Sequence, residues 1–194
     1  MIEAVILAAG ESKRMGQLKP LMKIDGVTFL QKIEKELYDS GIQHIHVVLG
    51  HEAKKIMSES GIRANFVINE NYQQGQFSSL QKGISVLSGE CAAAVVCLAD
   101  QPHIKAEWIV KLCEPLSAGF NGIVRPVYKG RSGHPIVYAA EMFDKILVLP
   151  ATATAKDIMS QYQRDTTWVT IDSDGILYDA DTPEDFELIQ KYLS

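Results

Sequence analysis

Residues 2–20 read IEAVILAAGESKRMGQLKP. The opening IEAVIL is apolar apart from Glu3 and reads as a buried strand. Gly10 and Gly16 follow at once, bracketing a polar loop that carries Lys13 and Arg14, with Lys19 three residues beyond it. Ligands bind at the carboxyl ends of the strands in an open α/β sheet. Glycines let the backbone turn tightly and come close to a ligand. Cationic side chains beside exposed N–H groups suit a polyphosphate. The other reading of the loop is a solvated surface turn with ordinary charges. Neither GxGxxG nor GxxxxGK[ST] occurs, so this is not a dinucleotide fingerprint or a P-loop.

Outward from that stretch, strands alternate with helices. Phe29, Leu30, Ile33 and Leu37 predict one helical face over 27–39, stopped by Ser40-Gly41. Strands are expected at 44–50, 63–68 and 92–100, with helices at 52–59, 78–87 and 105–116. NGIVRPVY and HPIVYA read as strands around the polar turn KGRSG, and residues 120–140 are expected to form an insertion lying over the site. Helices follow over 140–148 and 155–162, then a strand near 167–171, a hairpin-like segment through Ser173-Asp174-Gly175, and a last helix from Pro183. Several strands are apolar without alternation, as when both sheet faces are covered. The pattern predicts one three-layer α/β domain over residues 1–194, with a Rossmann-like, mostly parallel central sheet.

The totals agree with that class. The chain has 194 residues, 46% hydrophobic and 22% charged, and 19 basic against 24 acidic residues leave a net charge of -5. Nucleic acid is therefore not an expected partner. No run of about 18 apolar residues occurs, so no membrane span is expected. The start MIEAVILAAG lacks a basic leader and reads as a strand rather than a signal peptide. Cys91, Cys97 and Cys113 fit no zinc spacing and are odd in number. They are read as reduced cysteines of a cytoplasmic protein.

Asp100 ends the most apolar strand, in LADQPH. A carboxylate there caps the next turn or meets a divalent ion, and both readings are open. In YDADTPEDF, 178–186, Thr182 and Asp185 predict a capping box with Pro183 in the first turn. That leaves Asp179 and Asp181 unexplained. In GQFSSLQKG, 75–83, Ser78 and Ser79 stand at a helix start, as caps or as ligand contacts. His134, in GRSGHP beside Lys129 and Arg131, donates to a substrate phosphate or satisfies its turn. No metal-hydrolase histidine spacing and no Gx-Ser-xG elbow occurs. Phosphate binding plus two separated carboxylates, with no nucleophile, points away from covalent catalysis.

Together, LAAGESKRMG with Lys19, GQFSSLQKG, ADQP, GRSGHP and DADTPED resemble, in order, the small nucleotidyltransferases that complete the molybdenum cofactor. The likeness runs from residue 5 to about residue 190. It implies transfer of a nucleoside monophosphate from a nucleoside triphosphate to a terminal phosphate, with release of pyrophosphate. It implies nucleotide binding by Leu7, Ala8, Ala9 and Gly10 with Ser79, and Arg14 and Lys19 on the triphosphate. Lys19, Arg14 and Asp100 are then the catalytic candidates. Asp100 would bind magnesium, with Asp181, or else Asp179, as second carboxylate. Ser78, Gln101 and His134, beside Ser79, would line the acceptor side. LAAG and GHP resemble the cytidylyl branch, which implies CTP and molybdopterin, with an apo molybdoenzyme or its chaperone as a compatible client. The segment ATATAKD, 151–157, lacks the glycine and arginine common there. GTP, a sugar or polyol phosphate acceptor, or a non-catalytic cofactor-binding chaperone are the rival expectations.

Overall fold

The computed structural model describes residues 1–12 and 15–193. In chain order the strands and α-helices are β1 (Ile2–Ala8), β2 (Lys23–Ile24), β3 (Val27–Thr28), α1 (Phe29–Asp39), β4 (Ile45–Leu49), α2 (Ala53–Glu59), β5 (Asn65–Ile68), α3 (Gln76–Ile84), β6 (Ala93–Leu98), α4 (Ala106–Ser117), β7 (Ile123–Tyr128), β8 (Arg131–Ser132), β9 (Ile136–Ala139), α5 (Phe143–Leu147), α6 (Ala155–Gln161), β10 (Thr166–Thr170) and α7 (Pro183–Leu193).

The central sheet runs β10-β7-β9-β6-β1-β4-β5, with β8 paired to β7. β1 lies parallel between β4 and β6, with Ala8 beside Leu49 and Leu7 beside Leu98. β9 runs antiparallel to both β6 and β7, while β7 and β10 are parallel. The sheet is thus mostly parallel with one reversed strand in its middle. Period-2 alternation divides β1 between two cores. Ala4, Ile6 and Ala8 pack with Leu30, Ile33 and Leu37 of α1 and with Ile109 and Leu112 of α4. Val5 packs on the other face with Leu80 and Ile84 of α3, Ile146 of α5 and Ile158 of α6. This makes three layers, helix on sheet on helix.

Local chemistry sets the boundaries. Thr28 and Gln31 form a capping box: the Gln31 N–H donates to Thr28 Oγ1 (3.2 Å) and the Thr28 N–H to Gln31 Oε1 (2.9 Å). The chain leaves α1 through Gly41 at φ +93, a left-handed conformation that glycine adopts without steric cost. Gly83 lets α3 sit directly on β1: a Cβ there would stand 2.4 Å from Val5 Cγ1. That close approach brings the start of α3 beside the end of β1.

Two expectations change. Residues 120–140 are not an insertion over the site. They supply β7 and β9, which are integral to the sheet, because Ile123, Val124, Ile136 and Val137 are buried within it. The segment at Ser173-Asp174-Gly175 is a 3-10 turn over Asp174–Leu177 rather than a hairpin, since Ser173 Oγ accepts the Gly175 N–H and closes the turn locally. All three cysteines are free, and burial raises the Cys97 thiol to about 12. Among the described residues no helix is long and apolar enough to cross a membrane.

At the amino end of the sheet, Glu3 is buried beside His46. His46 Nε2 lies 2.7 Å from Glu3 Oε2, and Asn65 Nδ2 lies 3.0 Å from His46 Nδ1. If Asn65 donates to Nδ1, Nε2–H is left to donate to Glu3. Ser88 donates to Glu3 Oε1 through its N–H (3.1 Å) and its hydroxyl. Burial alone would raise the Glu3 carboxyl, but the Ser88 and His46 hydrogen bonds hold it below its ordinary 4.5. A depressed carboxylate stabilises the fold above its unfolded-state value and loses that contribution as pH falls through the folded value. Urea unfolding should therefore show wild type more stable than Glu3→Gln by about 1–2 kcal/mol at pH 7. The difference should close below pH 4.5, and a gap constant down to pH 3 would refute this role.

Candidate active site

The carboxyl ends of β1 and β6 and the start of α3 enclose a cleft of about 310 Å³. Leu7, Ala8, Ala9 and Gly10 line one wall, Ser79 and Gln76 the other, and Lys19 and Asp100 the end. A Cβ on Gly10 would meet nothing within 4 Å. The backbone is thus bare where it borders the cleft, as close approach of a ligand to main-chain N–H groups requires.

Lys19 follows the loop in a 3-10 turn over Lys19–Leu21, with Pro20 buried. Its backbone N–H donates to Ser12 Oγ (3.3 Å). Ser12 itself holds φ 52, unusual for a residue with a Cβ. The Lys19 ammonium donates to Asp100 Oδ2 at 3.0 Å and also to Asp181 Oδ1. Its side chain is 12% exposed. Burial alone would lower its pKa, but Asp100 and Asp181 outweigh that and hold it above the ordinary lysine value. Lys19 is therefore charged throughout the neutral range.

The two acidic segments, far apart in sequence, meet through main chain: the Ala180 N–H donates to the Asp100 carbonyl at 2.9 Å. Ala180 is fully buried, so this joint is dry. Below it, Thr182 and Asp185 form the expected capping box, with the Asp185 N–H donating to Thr182 Oγ1 at 3.2 Å and the Thr182 N–H to Asp185 Oδ2 at 2.9 Å. The cap leaves Asp179 and Asp181 outside the helix. Asp179 accepts from Gln101 Nε2 at 2.8 Å. Burial, with the nearby negative charge of Asp100, pushes Asp179 up to about 6 against that hydrogen bond. Asp100 Oδ1 is buried and has no hydrogen-bond partner. An anionic oxygen left this way is costly unless a cation meets it. No group of three or more His, Cys, Asp or Glu is assembled for a metal among the described residues. Asp100 and Asp181, both on the Lys19 ammonium, are the carboxylates that could hold a divalent ion there.

Residues 4–166 match the family described as the MobA-like NTP transferase domain. The chain belongs to this family. It is 25% identical over 187 residues to the molybdenum cofactor cytidylyltransferase of Escherichia coli (strain K12), covering 95% of this chain and 93% of that one. It is 26% identical over 198 residues to a probable molybdenum cofactor guanylyltransferase of Bacillus cereus (strain Q1), covering 98% and 96%. Its fold superposes on a nucleotidyl transferase from Methanothermobacter thermautotroptrophicus with a TM-score of 0.83 at 21% identity, covering 100% of this chain and 98% of that one. Family and fold are those of nucleotidyltransferases.

Of the sequence candidates in this family member, Leu7–Gly10, Lys19, Ser79 and Asp100 meet at the cleft, and Asp181 reaches it through Lys19. Arg14 lies outside the described residues. Ser78 does not line the cleft: its hydroxyl donates to the carbonyls of Gly75 (2.8 Å) and Asn71 (3.1 Å), shaping the turn before α3. Gln101 is buried and serves Asp179. His134 is not among the residues that line the cleft; burial and the Arg125 charge lower it to about 4 and keep it neutral. Gly133 packs on the carbonyl of Ile176, where a Cβ would come within 1.8 Å, so the GHP turn must carry glycine there.

Three site residues carried no usable signal. Asn69 Nδ2 donates to both Ser78 Oγ (2.9 Å) and Ser79 Oγ (3.0 Å), so it orients the pair. Tyr72 lines the cleft and packs on Gly50 so closely that a Cβ there would come within 2.5 Å of its ring. Ser12 anchors the Lys19 backbone. Each lies in a loop or strand end whose role depends on partners distant in sequence.

Proposed function

We propose that this nucleotidyltransferase moves CMP from CTP to the terminal phosphate of a molybdopterin-type acceptor. The observation that carries the reading is the Lys19 ammonium joined to Asp100 and Asp181 at the end of a glycine-floored cleft. A phosphate oxygen of the acceptor attacks the α-phosphorus in line. The bond from that phosphorus to the bridging oxygen breaks, and pyrophosphate leaves with the electron pair. The attacking oxygen is already anionic, so no strong base is needed. The work is positioning two negative reactants and neutralising charge. Backbone N–H groups at Ala8–Gly10 hold the nucleotide, and Lys19 donates to phosphate oxygens as charge grows on the leaving group. Asp100 and Asp181 would hold magnesium, which when bound supplies Lewis-acid neutralisation of phosphate oxygens. A client apo molybdoenzyme, or its chaperone, would receive the product.

The name of the Escherichia coli relative and the LAAG and GHP segments favour CTP. A second reading keeps the chemistry and changes the acceptor to a sugar or polyol phosphate. It is favoured by residues 151–157, where a Thr154–Asp157 capping box stands without glycine or arginine.

The test is pyrophosphate release with magnesium and molybdenum-loaded molybdopterin, comparing CTP, GTP, ATP and UTP, with Asp100→Ala as blank. Release with CTP alone is expected. Release with GTP alone overturns the base. Silence with all four, from folded protein that binds nucleotide, overturns the acceptor and moves the screen to sugar and polyol phosphates.

A further inference from the structure

Beyond the cleft, one partly buried cation stands out. Arg125, on β7, pairs with no carboxylate among the described residues and lies over the Trp168 ring. Its Nε is buried without a hydrogen-bond partner. The guanidinium lies 5.8 Å from the centroid of the Trp168 ring, which is 47% exposed. A partly buried charge with an orphaned donor is unfavourable until an anion meets it.

Sheet register places this group on the same sheet face as the cleft, beyond its lining. Leu98 lines the cleft, and Val96, two residues before it, stands opposite Ile136. Ile123 stands opposite Tyr138, so Arg125, two residues on, shares that face, and Trp168 is its partner on β10. At the usual strand spacing, Arg125 is about 10 Å across the sheet from β6. Two further polar groups flank it. Ser132 stands opposite Val127, hence on the Arg125 face, and its buried Oγ also has no partner. His134 follows where the Gly133 N–H donates to the Pro126 carbonyl (3.3 Å), and burial first, with the Arg125 charge, keeps its imidazole neutral. Neutral imidazole keeps one N–H donor.

We propose that Arg125, with Ser132 and His134, binds an oxyanion of the phosphate type, and that in the transfer reaction this is an anionic group of the acceptor remote from its attacking phosphate. The second half rests on the transfer reading above; the first half does not. A guanidinium presents a planar fork of donors matched to phosphate. The two-strand spacing between β6 and β7 would leave the attacking phosphate at the cleft and the acceptor's remote anionic group over β7.

Inorganic phosphate is the probe, titrated into the full-length ¹⁵N-labelled protein while the Trp168 indole N–H and the His134 amide are followed by NMR. Saturable shifts at both are expected. They should be lost in Arg125→Gln, recovered in part in Arg125→Lys, and kept in Lys19→Met, which separates this site from the nucleotide loop. Unmoved resonances in wild type, or equal shifts in Arg125→Gln with an intact spectrum, overturn the site. In turnover assays Arg125→Gln should raise the acceptor KM at least tenfold with the nucleotide KM unchanged. An unchanged acceptor KM overturns the second half. A wild type that binds phosphate here yet transfers to no acceptor overturns the transfer reading and leaves the oxyanion site standing.

Discussion

Replacing Lys19 with methionine is expected to lower kcat by about 10²–10³-fold, the usual loss when one preorganised charge-stabilising donor is removed. Methionine keeps most of the length and apolar stem and removes only the ammonium. That ammonium is the group that joins Asp100 to Asp181. Its partners raise rather than lower its pKa, so it is a permanent cation and not a proton donor at neutral pH. Its contribution should therefore be electrostatic and flat in pH across the neutral range. Circular dichroism should report an intact fold, because β1 and the two cores do not depend on Lys19. The decisive reading is the split between constants. A fall in kcat places the interaction in the transition state. A rise in nucleotide KM alone would mean that Lys19 binds ground and transition states equally, and the catalytic role would be lost.

Asp100→Asn should remove turnover by at least about 10²-fold while leaving the same fold. Asparagine is nearly isosteric, and the joint to the second acidic segment survives because it uses the Asp100 carbonyl, not the side chain. What disappears is the charge: one of the two anions that hold Lys19, shared by the buried Oδ1 that has no hydrogen-bond partner. The measurement is pyrophosphate release against magnesium concentration, beside circular dichroism. Wild type should saturate with magnesium and the variant should need far more or fail. A folded variant with wild-type turnover and magnesium dependence would remove Asp100 from the site.

How much of this was legible beforehand depends on the range of the interactions. β1, α1 and β6 followed from runs and periods within a dozen residues, and each appears where periodicity placed it. The Thr182–Asp185 cap was also legible, because both partners lie within one helical turn. The role of residues 120–140 was not. IVRPVY and IVYA look like a detached hairpin until β9 is seen inserted antiparallel between β6 and β7. Ser78 and Gln101 look like ligand contacts by position, yet one ties the turn before α3 and the other serves Asp179. A polar side chain's sequence neighbours do not say whether its hydrogen bonds are spent inside the protein.

By itself the sequence determined the layered α/β class, the glycine-bracketed basic loop after β1 and the two acidic segments, because strand periodicity, glycine placement and capping chemistry are local. Only the tertiary structure decided that Lys19 stands between Asp100 and Asp181, that Asp179 belongs to Gln101, and that Arg125 lies on the cleft's sheet face with no carboxylate partner among the described residues. Those facts depend on the order of strands in the sheet and on what remains to pair with a charge once water is excluded. Residues 81 and 162 positions apart are brought to one ammonium by packing, and no spacing rule along the chain encodes that meeting.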